Sequence, residues 1–362
     1  MNQKRTWMIV LLIITVAIAA LVGCAQQKSS PAAETKVITD MAGRQVEVPT
    51  VVDKVYSTSA TGSVFLYTLA PDKLAGWNSE LRDIEKKFVD PKYYDLPNLG
   101  RWKGTTPTGS IEDLLKAAPD IIISVGDVTP DYVGDADEIQ KQTGIPVVML
   151  DGSLQNTAEA YRMLGELIGE TARAEELAAY CEQTLEEINS NLKVLAEEDK
   201  VRVYYGQGLE GLETEISGTV NSEAFDLAGA KNVAVPVGAD VRRMQVSVEQ
   251  ILAWDPEIII ISTDGDTSHA LYNKILTDKA WANITAVKNK EVYEIPSSPY
   301  DWINRPPSVV RFIGVKWLSS LLYPDIIDLN IREDIKEFYS LFFNYDISEA
   351  EIEELLATAE RK

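Results

Sequence analysis

Residues 110–124 read SIEDLLKAAPDIIIS, and the chain returns to the same phrase at 247–262 as SVEQILAWDPEIIIIS. A chain that spells one helix-to-strand unit twice is constrained to build two lobes of one design. Each copy opens on a serine, Ser110 or Ser247, with Asp113 or Gln250 three positions on, the spacing of a capping box at a helix start. Ile111, Leu114 and Leu115 fall at i, i+3 and i+4, as do Val248, Ile251 and Leu252, so each short helix carries one apolar face. Pro119 and Pro256 stop the helices, because proline has no amide hydrogen and its ring clashes with the preceding turn. The runs DIIIS and EIIIIS that follow are short, β-branched and without polar alternation, the pattern of strands covered on both faces of a parallel sheet.

Less faithful repeats agree. KVYSTSATG and RVYYGQGLEG each read as a strand entering a glycine-containing loop, and IPVVMLDG and KEVYEIPSS as strands ending in polar loops. Residues 156–198 between them are rich in Ala, Glu and Leu at helical spacing, interrupted by Gly165 and Gly169, and predict one long connecting helix with a break near Gly169. The expected fold class is α/β: two similar lobes with central parallel sheets at 38–152 and 200–325, a connecting helix region at 153–199 and a helical tail at 326–362.

The chain begins with Lys4 and Arg5 ahead of an apolar run from Trp7 to Val22 that meets Leu21-Val22-Gly23-Cys24. This pattern predicts a secretion signal over 1–23, too short for a membrane span, with small residues before a cysteine that would receive lipid. The stretch at 24–37, containing AQQKSSPAAETK, is too poor in large apolar residues to build a core and reads as a tether. Removing Lys4 and Arg5 takes the formal net charge from -22 to -24, which excludes nucleic acid as a partner. With Cys24 modified, Cys181 has no cysteine to pair with; its place in AEELAAYCEQTLEEI predicts a buried small apolar residue.

Open α/β sheets hold ligands at the C-terminal ends of their strands. The loops expected there carry Tyr56, Thr58, Ser59, Thr61, Trp77, Asn78, Arg101 and Trp102 in the first lobe, and Tyr205, Arg242, Arg243, Tyr300, Trp302 and Arg305 in the second. An aromatic and basic set in so acidic a chain predicts a small anionic or metal-organic ligand held by guanidinium groups and flanked by rings. Each residue also has a plainer reading: Trp77 or Trp102 packing on its own lobe, Arg242 or Arg243 pairing with Asp240 or Glu223. The single histidine, His269, reads as a solvated loop residue, and one histidine argues against a bare transition-metal site. No nucleophile elbow, His-anchored triad or phosphate loop is present, so neither catalysis nor a cofactor is expected.

Taken with PDKLAGW at 71–77 and the tail EFYSLFFNYDISEAEIEELL, the paired units and the lipidation motif resemble the substrate-binding lipoproteins of ABC importers for ferric siderophores, haem and vitamin B12, over roughly residues 38–325. The resemblance implies a monomer whose two lobes face each other across a ligand cleft, with a rigid connecting helix, anchored outside the cytoplasm through Cys24. It implies that Glu112 and Glu249, one in each copy of the repeated phrase, dock into basic pockets of a two-fold permease. A ferric chelate or cobalamin-type complex is the implied ligand; an oxyanion such as molybdate or tungstate, and a lipid-anchored adhesin or sensor role, stand as alternatives. Cys24→Ala is expected to yield a chain without acyl groups, uncleaved or released from the membrane, with ligand affinity unchanged. Acyl chains on that variant in intact-mass spectrometry would exclude the lipidation reading.

Overall fold

The strands, in chain order, are β1 (Thr35–Thr39), β2 (Gln45–Pro49), β3 (Val55–Ser57), β4 (Ile121–Gly126), β5 (Val147–Asp151), β6 (Arg202–Gly206), β7 (Glu213–Glu215), β8 (Lys231–Asn232), β9 (Arg243–Gln245), β10 (Ile258–Ile261) and β11 (Val292–Glu294). The principal helices are α1 (Ala60–Leu69), α2 (Ile111–Ala117), α3 (Pro130–Thr143), α4 (Thr157–Ile168), α5 (Thr171–Leu192), α6 (Glu223–Leu227), α7 (Val248–Trp254), α8 (Ala270–Thr277), α9 (Arg311–Leu322), α10 (Ile331–Phe343) and α11 (Glu349–Leu356). This computed structural model describes residues 34–361 apart from 103–106, 236–242 and 263–267. The signal, Cys24 and Arg242 lie outside the described residues.

The repeated phrase folds as two local copies. The Ser110 hydroxyl accepts from the Asp113 amide at 3.3 Å and the Ser247 hydroxyl from the Gln250 amide at 3.3 Å, so each serine caps its helix. The helices end at Ala118 and Asp255, both left-handed with φ of 48° and 45°, each immediately before its proline, where a right-handed turn is sterically disfavoured. The strand after each helix becomes the middle of a parallel sheet. β4 lies between β3 and β5, and β10 between β6 and β11, with β8 added outside β6. Opening strand, repeated strand, closing strand is thus one order used in both lobes, and Ile121 to Ile123 and Ile259 to Ile261 are wholly buried.

The connector between the sheets breaks at the glycine singled out in the sequence, giving two helices. Gly169, at φ +82°, caps α4, and α5 restarts at Thr171 and runs 22 residues. The two helices pack so closely that a Cβ on Gly165 would lie 2.2 Å from that of Ala174. Cys181 on α5 is buried and free, as expected, and burial pushes its thiol pKa well up. The tail closes over the connector: Phe338 and Phe342 of α10 stand 6.1 and 5.3 Å from the Tyr180 ring of α5. One apolar cluster therefore runs from Val48 and Phe65 through Tyr161 and Leu177 to Val203, Phe312 and Leu356, and it ties both lobes to the connector and the tail. Among the described residues no helix is long and apolar enough to cross a membrane.

A buried charge joins the lobes at the C-terminal end of β5. Arg311 of α9 is 1% exposed and donates to the Gly152 carbonyl at 2.6 Å, the Glu223 carboxylate at 3.0 Å and the Val220 carbonyl at 3.4 Å. Glu223 in turn accepts from the Leu154 amide through both oxygens, at 2.9 and 3.0 Å. Gly152 and Leu154 follow β5 of the first lobe, whereas Val220, Glu223 and Arg311 belong to the second. Burial pulls the Arg311 pKa down, opposed by the adjacent Glu223, so the guanidinium is retained because its partners surround it. Arg311→Met is expected to destabilise the fold by roughly 3–5 kcal/mol, because it strands Glu223 against apolar neighbours. Urea unfolding that shows a loss under about 1 kcal/mol, the scale of an exposed pair, would contradict this assignment.

Candidate ligand site

In the first lobe the strand end and the start of α1 are built around a glycine and an asparagine. A Cβ on Gly62 would sit 2.1 Å from the Ser57 hydroxyl, so only glycine lets the first turn of α1 close over β3. The Asn78 side chain, itself buried, donates to the carbonyls of Ser57 and Gly100 at 2.8 Å each. Thr58 is held at both ends of its backbone, its amide donating to Ile123 at 3.0 Å and its carbonyl accepting from Trp102 at 2.9 Å. Its hydroxyl is buried and has no hydrogen-bond partner among the described residues. Ser59 caps α1 through the Gly62 amide, and Ser59 and Thr61 remain half-buried at that helix start. A threonine hydroxyl and the amides of a helix N-terminus form a donor set for an anion.

The second lobe supplies cations. The sequence places Arg243 and Arg305 more than sixty residues apart, and both donate to one oxygen, Oε1 of Gln207: Arg305 Nη2 at 2.8 Å and Arg243 Nη2 in a shorter contact. Two hydrogen bonds to a shared acceptor keep these nitrogens within about 6 Å of each other. Arg243 is oriented further by its cross-strand neighbour Glu215 at 3.0 Å and by Glu213 at 3.1 Å. Glu223, considered from the sequence as a partner, belongs to Arg311 instead, and Asp240 lies outside the described residues. Gln207, wholly buried at the end of β6, was not foreseen. Its signal was the polar residue between two glycines in YYGQGLEG, directly after an apolar strand.

The aromatic part of the expected cleft is corrected by burial. Tyr56, Tyr205 and Trp302 are 0% exposed, Trp77 5% and Tyr300 8%. Tyr56 donates to the Gly100 carbonyl at 2.7 Å, and burial raises its pKa. The Trp77 indole donates to the Tyr93 carbonyl at 2.9 Å. Tyr205 packs on Phe225 with ring centres 4.8 Å apart, and the Trp302 indole donates to the Tyr339 hydroxyl at 3.2 Å. Tyr300 is enclosed and its pKa is likewise raised by burial. The rings of these five are packed against the protein, as core residues that happen to follow strands. Of the six aromatics in the expected set only Trp102 keeps an accessible part; its indole lies over Gly109, where any Cβ would collide with it at 2.3 Å. Arg101 beside it is exposed. His269, expected to be solvated, is half-exposed and contacts the Glu294 carboxylate, which also accepts from Thr358 at 2.5 Å. Among the described residues no cluster of His, Cys, Asp and Glu is arranged to hold a metal.

Two α/β lobes of the same strand order, polar groups at their strand ends and a buried ion pair that links them are the architecture of a two-lobed binding protein. Residues 74–299 match the family model for periplasmic binding proteins, and the chain belongs to that family. It is a substrate-binding protein of the extracytoplasmic type that serves ABC transporters, and not an enzyme. It is 25% identical over 337 residues to the molybdate-binding protein MolA of Haemophilus influenzae, covering 85% of this chain and 91% of the relative. An uncharacterized ABC transporter substrate-binding lipoprotein of Bacillus subtilis, YvrC, is 25% identical over 327 residues, or 86% of this chain and 96% of that one. Among solved structures, an ABC transporter solute binding protein from Sulfurospirillum deleyianum matches with a TM-score of 0.80 at 30% identity, covering 89% of this chain and 99% of the other.

Proposed function

We propose that the chain captures a small oxyanion of the molybdate or tungstate class and delivers it to a two-fold ABC permease from a lipid anchor at Cys24. The observation that carries the ligand class is the convergence of Arg243 and Arg305 on one amide oxygen. Guanidinium groups held in place are suited to oxygen anions. The Thr58 hydroxyl and the start of α1 add donors from the other lobe. The ferric chelate first expected asks for ring surface, and five of the six rings assigned to it are in the core. The similarity to a molybdate-binding relative supports the same choice. A ferric or cobalamin complex resting on Trp102 and Arg101 is the second reading.

Docking is assigned to Glu112 and Glu249, both exposed at the starts of helices that copy one another. The backbone amide at the helix start and the Ser247 hydroxyl hold the Glu249 carboxyl below its usual pKa, so it stays ionised. One turn on, each helix presents a leucine to solvent, Leu115 at 47% and Leu252 at 38% exposed, while Leu114 and Ile251 anchor the same helices in the lobes. A partner with two equivalent pockets would meet the same carboxylate-and-leucine face twice.

Molybdate or tungstate in hundredfold excess over its dissociation constant is expected to stabilise the tag-free mature domain by about 2.7 kcal/mol, read as a thermal shift. Arg243→Ala or Arg305→Ala should weaken that binding by roughly 1.5–3 kcal/mol. A shift with haem, cobalamin or a ferric siderophore but with neither oxyanion would overturn the ligand class. For docking, Glu112→Arg and Glu249→Arg are expected to abolish uptake in cells while leaving ligand affinity in calorimetry unchanged. Uptake at the wild-type rate by the double variant would remove the docking assignment.

A further inference from the structure

We propose that the cavity between the tail, the end of β11 and residues 84–88 is a second binding site, which takes a small primary ammonium with an apolar body. Its volume is about 240 Å³, room for roughly eight non-hydrogen atoms at water's share of about 30 Å³ each. Three parts of the chain build its wall: Lys87 and Phe88 from the first lobe, Glu294 and Pro296 from the second, and Glu354 and Leu355 from the tail. Glu294 ends β11, and β10 separates β11 from β6, at whose end Gln207 stands. At the ordinary spacing of strands the two positions are about 10 Å apart, so this cavity is set aside from the arginine pair.

The wall holds a buried carboxylate that the fold only half uses. Glu294 is 5% exposed. Its Oε2 accepts from the Thr358 hydroxyl at 2.5 Å and contacts His269 Nδ1, and its amide donates to the Thr358 carbonyl at 3.0 Å. Those bonds fasten the tail, but they engage one oxygen. Oε1 is buried with no hydrogen-bond partner among the described residues, and an unmet buried acceptor destabilises a fold. A glutamine oxygen would also accept from Thr358 and His269, so fastening the tail does not call for the second carboxylate oxygen. A donor brought into the cavity would satisfy it.

Charge selects a cation as that donor. Lys87 is committed to Glu351 at 2.5 Å; burial opposes ionisation of Glu351, yet bonds from Lys87, Ser348 and Tyr345 hold its pKa at about 2. Glu354 is exposed and has no ion pair among the described residues. Glu294, Glu351 and Glu354 therefore face Lys87 alone, and the wall stays negative whether or not His269 carries a proton. Phe88, Pro296 and Leu355 supply apolar surface beside the carboxylates. An ammonium directed at Glu294, with its apolar body against these three residues, uses both kinds of wall.

Benzylammonium chloride and benzyl alcohol, alike in size and different in charge, are titrated by calorimetry into the wild type, Glu294→Gln and Leu355→Phe, with thermal melting of each to confirm folding. The wild type is expected to bind benzylammonium at least tenfold more tightly than the alcohol. Glu294→Gln, which keeps an acceptor for Thr358 and places an amide where the second oxygen was, is expected to weaken benzylammonium at least tenfold. Leu355→Phe, which keeps the carboxylate and fills the cavity, is expected to lose both ligands. A wild type that binds neither compound, or both equally, overturns the proposal. So does benzylammonium affinity within twofold of wild type in either variant, which would locate the ammonium on the acidic surface instead.

Discussion

The ion pair of Arg311 and Glu223 is the constraint on which the two-lobed arrangement depends. A guanidinium buried this far is tolerable only while all its donors are met, and three of its acceptors, on Gly152, Glu223 and Val220, come from both lobes. Any large separation of the lobes would break the bond to Gly152 and strand the charge. The same pair holds Leu154 through Glu223, so the first residues after β5 are clamped from the second lobe. Movement about the cleft is therefore restricted to what these bonds permit. The continuous apolar cluster through α5 and α10 reinforces that limit from the far side of the sheets.

A second consequence concerns where polarity is spent. The strand ends of the first lobe are nearly closed on themselves: Asn78 consumes the carbonyls of Ser57 and Gly100, and Tyr56 takes Gly100 as well. What remains is the Thr58 hydroxyl and the start of α1. In the second lobe the corresponding loop after β6 begins with Gln207, around which Arg243 and Arg305 are collected. The proposed site is thus asymmetric, with neutral donors in one lobe and cations in the other, although the two sheets follow one plan. An acidic chain can hold an anion under these conditions because surface carboxylates are screened beyond roughly 8–10 Å while the guanidinium groups act at contact.

The repeated phrase made two α/β lobes of one design legible from the sequence. Capping serines, the i, i+3, i+4 apolar positions and the prolines are local signals, and each acts within one turn of where it is written. Hence both helices and the buried strands after them stand where the sequence placed them, and so do the break at Gly169 and the burial of Cys181. The composition of YYGQGLEG marked a loop but could not show that its glutamine would meet arginines from positions 243 and 305. Those contacts depend on the β7–β9 hairpin and on the loop after β11 arriving at one point.

The aromatic residues mark the boundary between the two kinds of information. Tyr56, Trp77, Tyr205, Tyr300 and Trp302 follow strands, as ligand-contacting residues do, but a strand end has an inner and an outer side, and position in the chain does not distinguish them. The tail helix α10 and the packing of α9 decided the matter for Trp302, which Tyr339 and Trp317 enclose. By itself the sequence determined two lobes of one design, their parallel sheets, the cationic character of the candidate site and the paired glutamates on matching helices, because local sterics and hydrophobic periodicity are written residue by residue. Only the tertiary structure decided which rings are core, which arginines share a partner, and that a buried guanidinium joins the lobes, because burial and electrostatic pairing depend on segments distant in the chain.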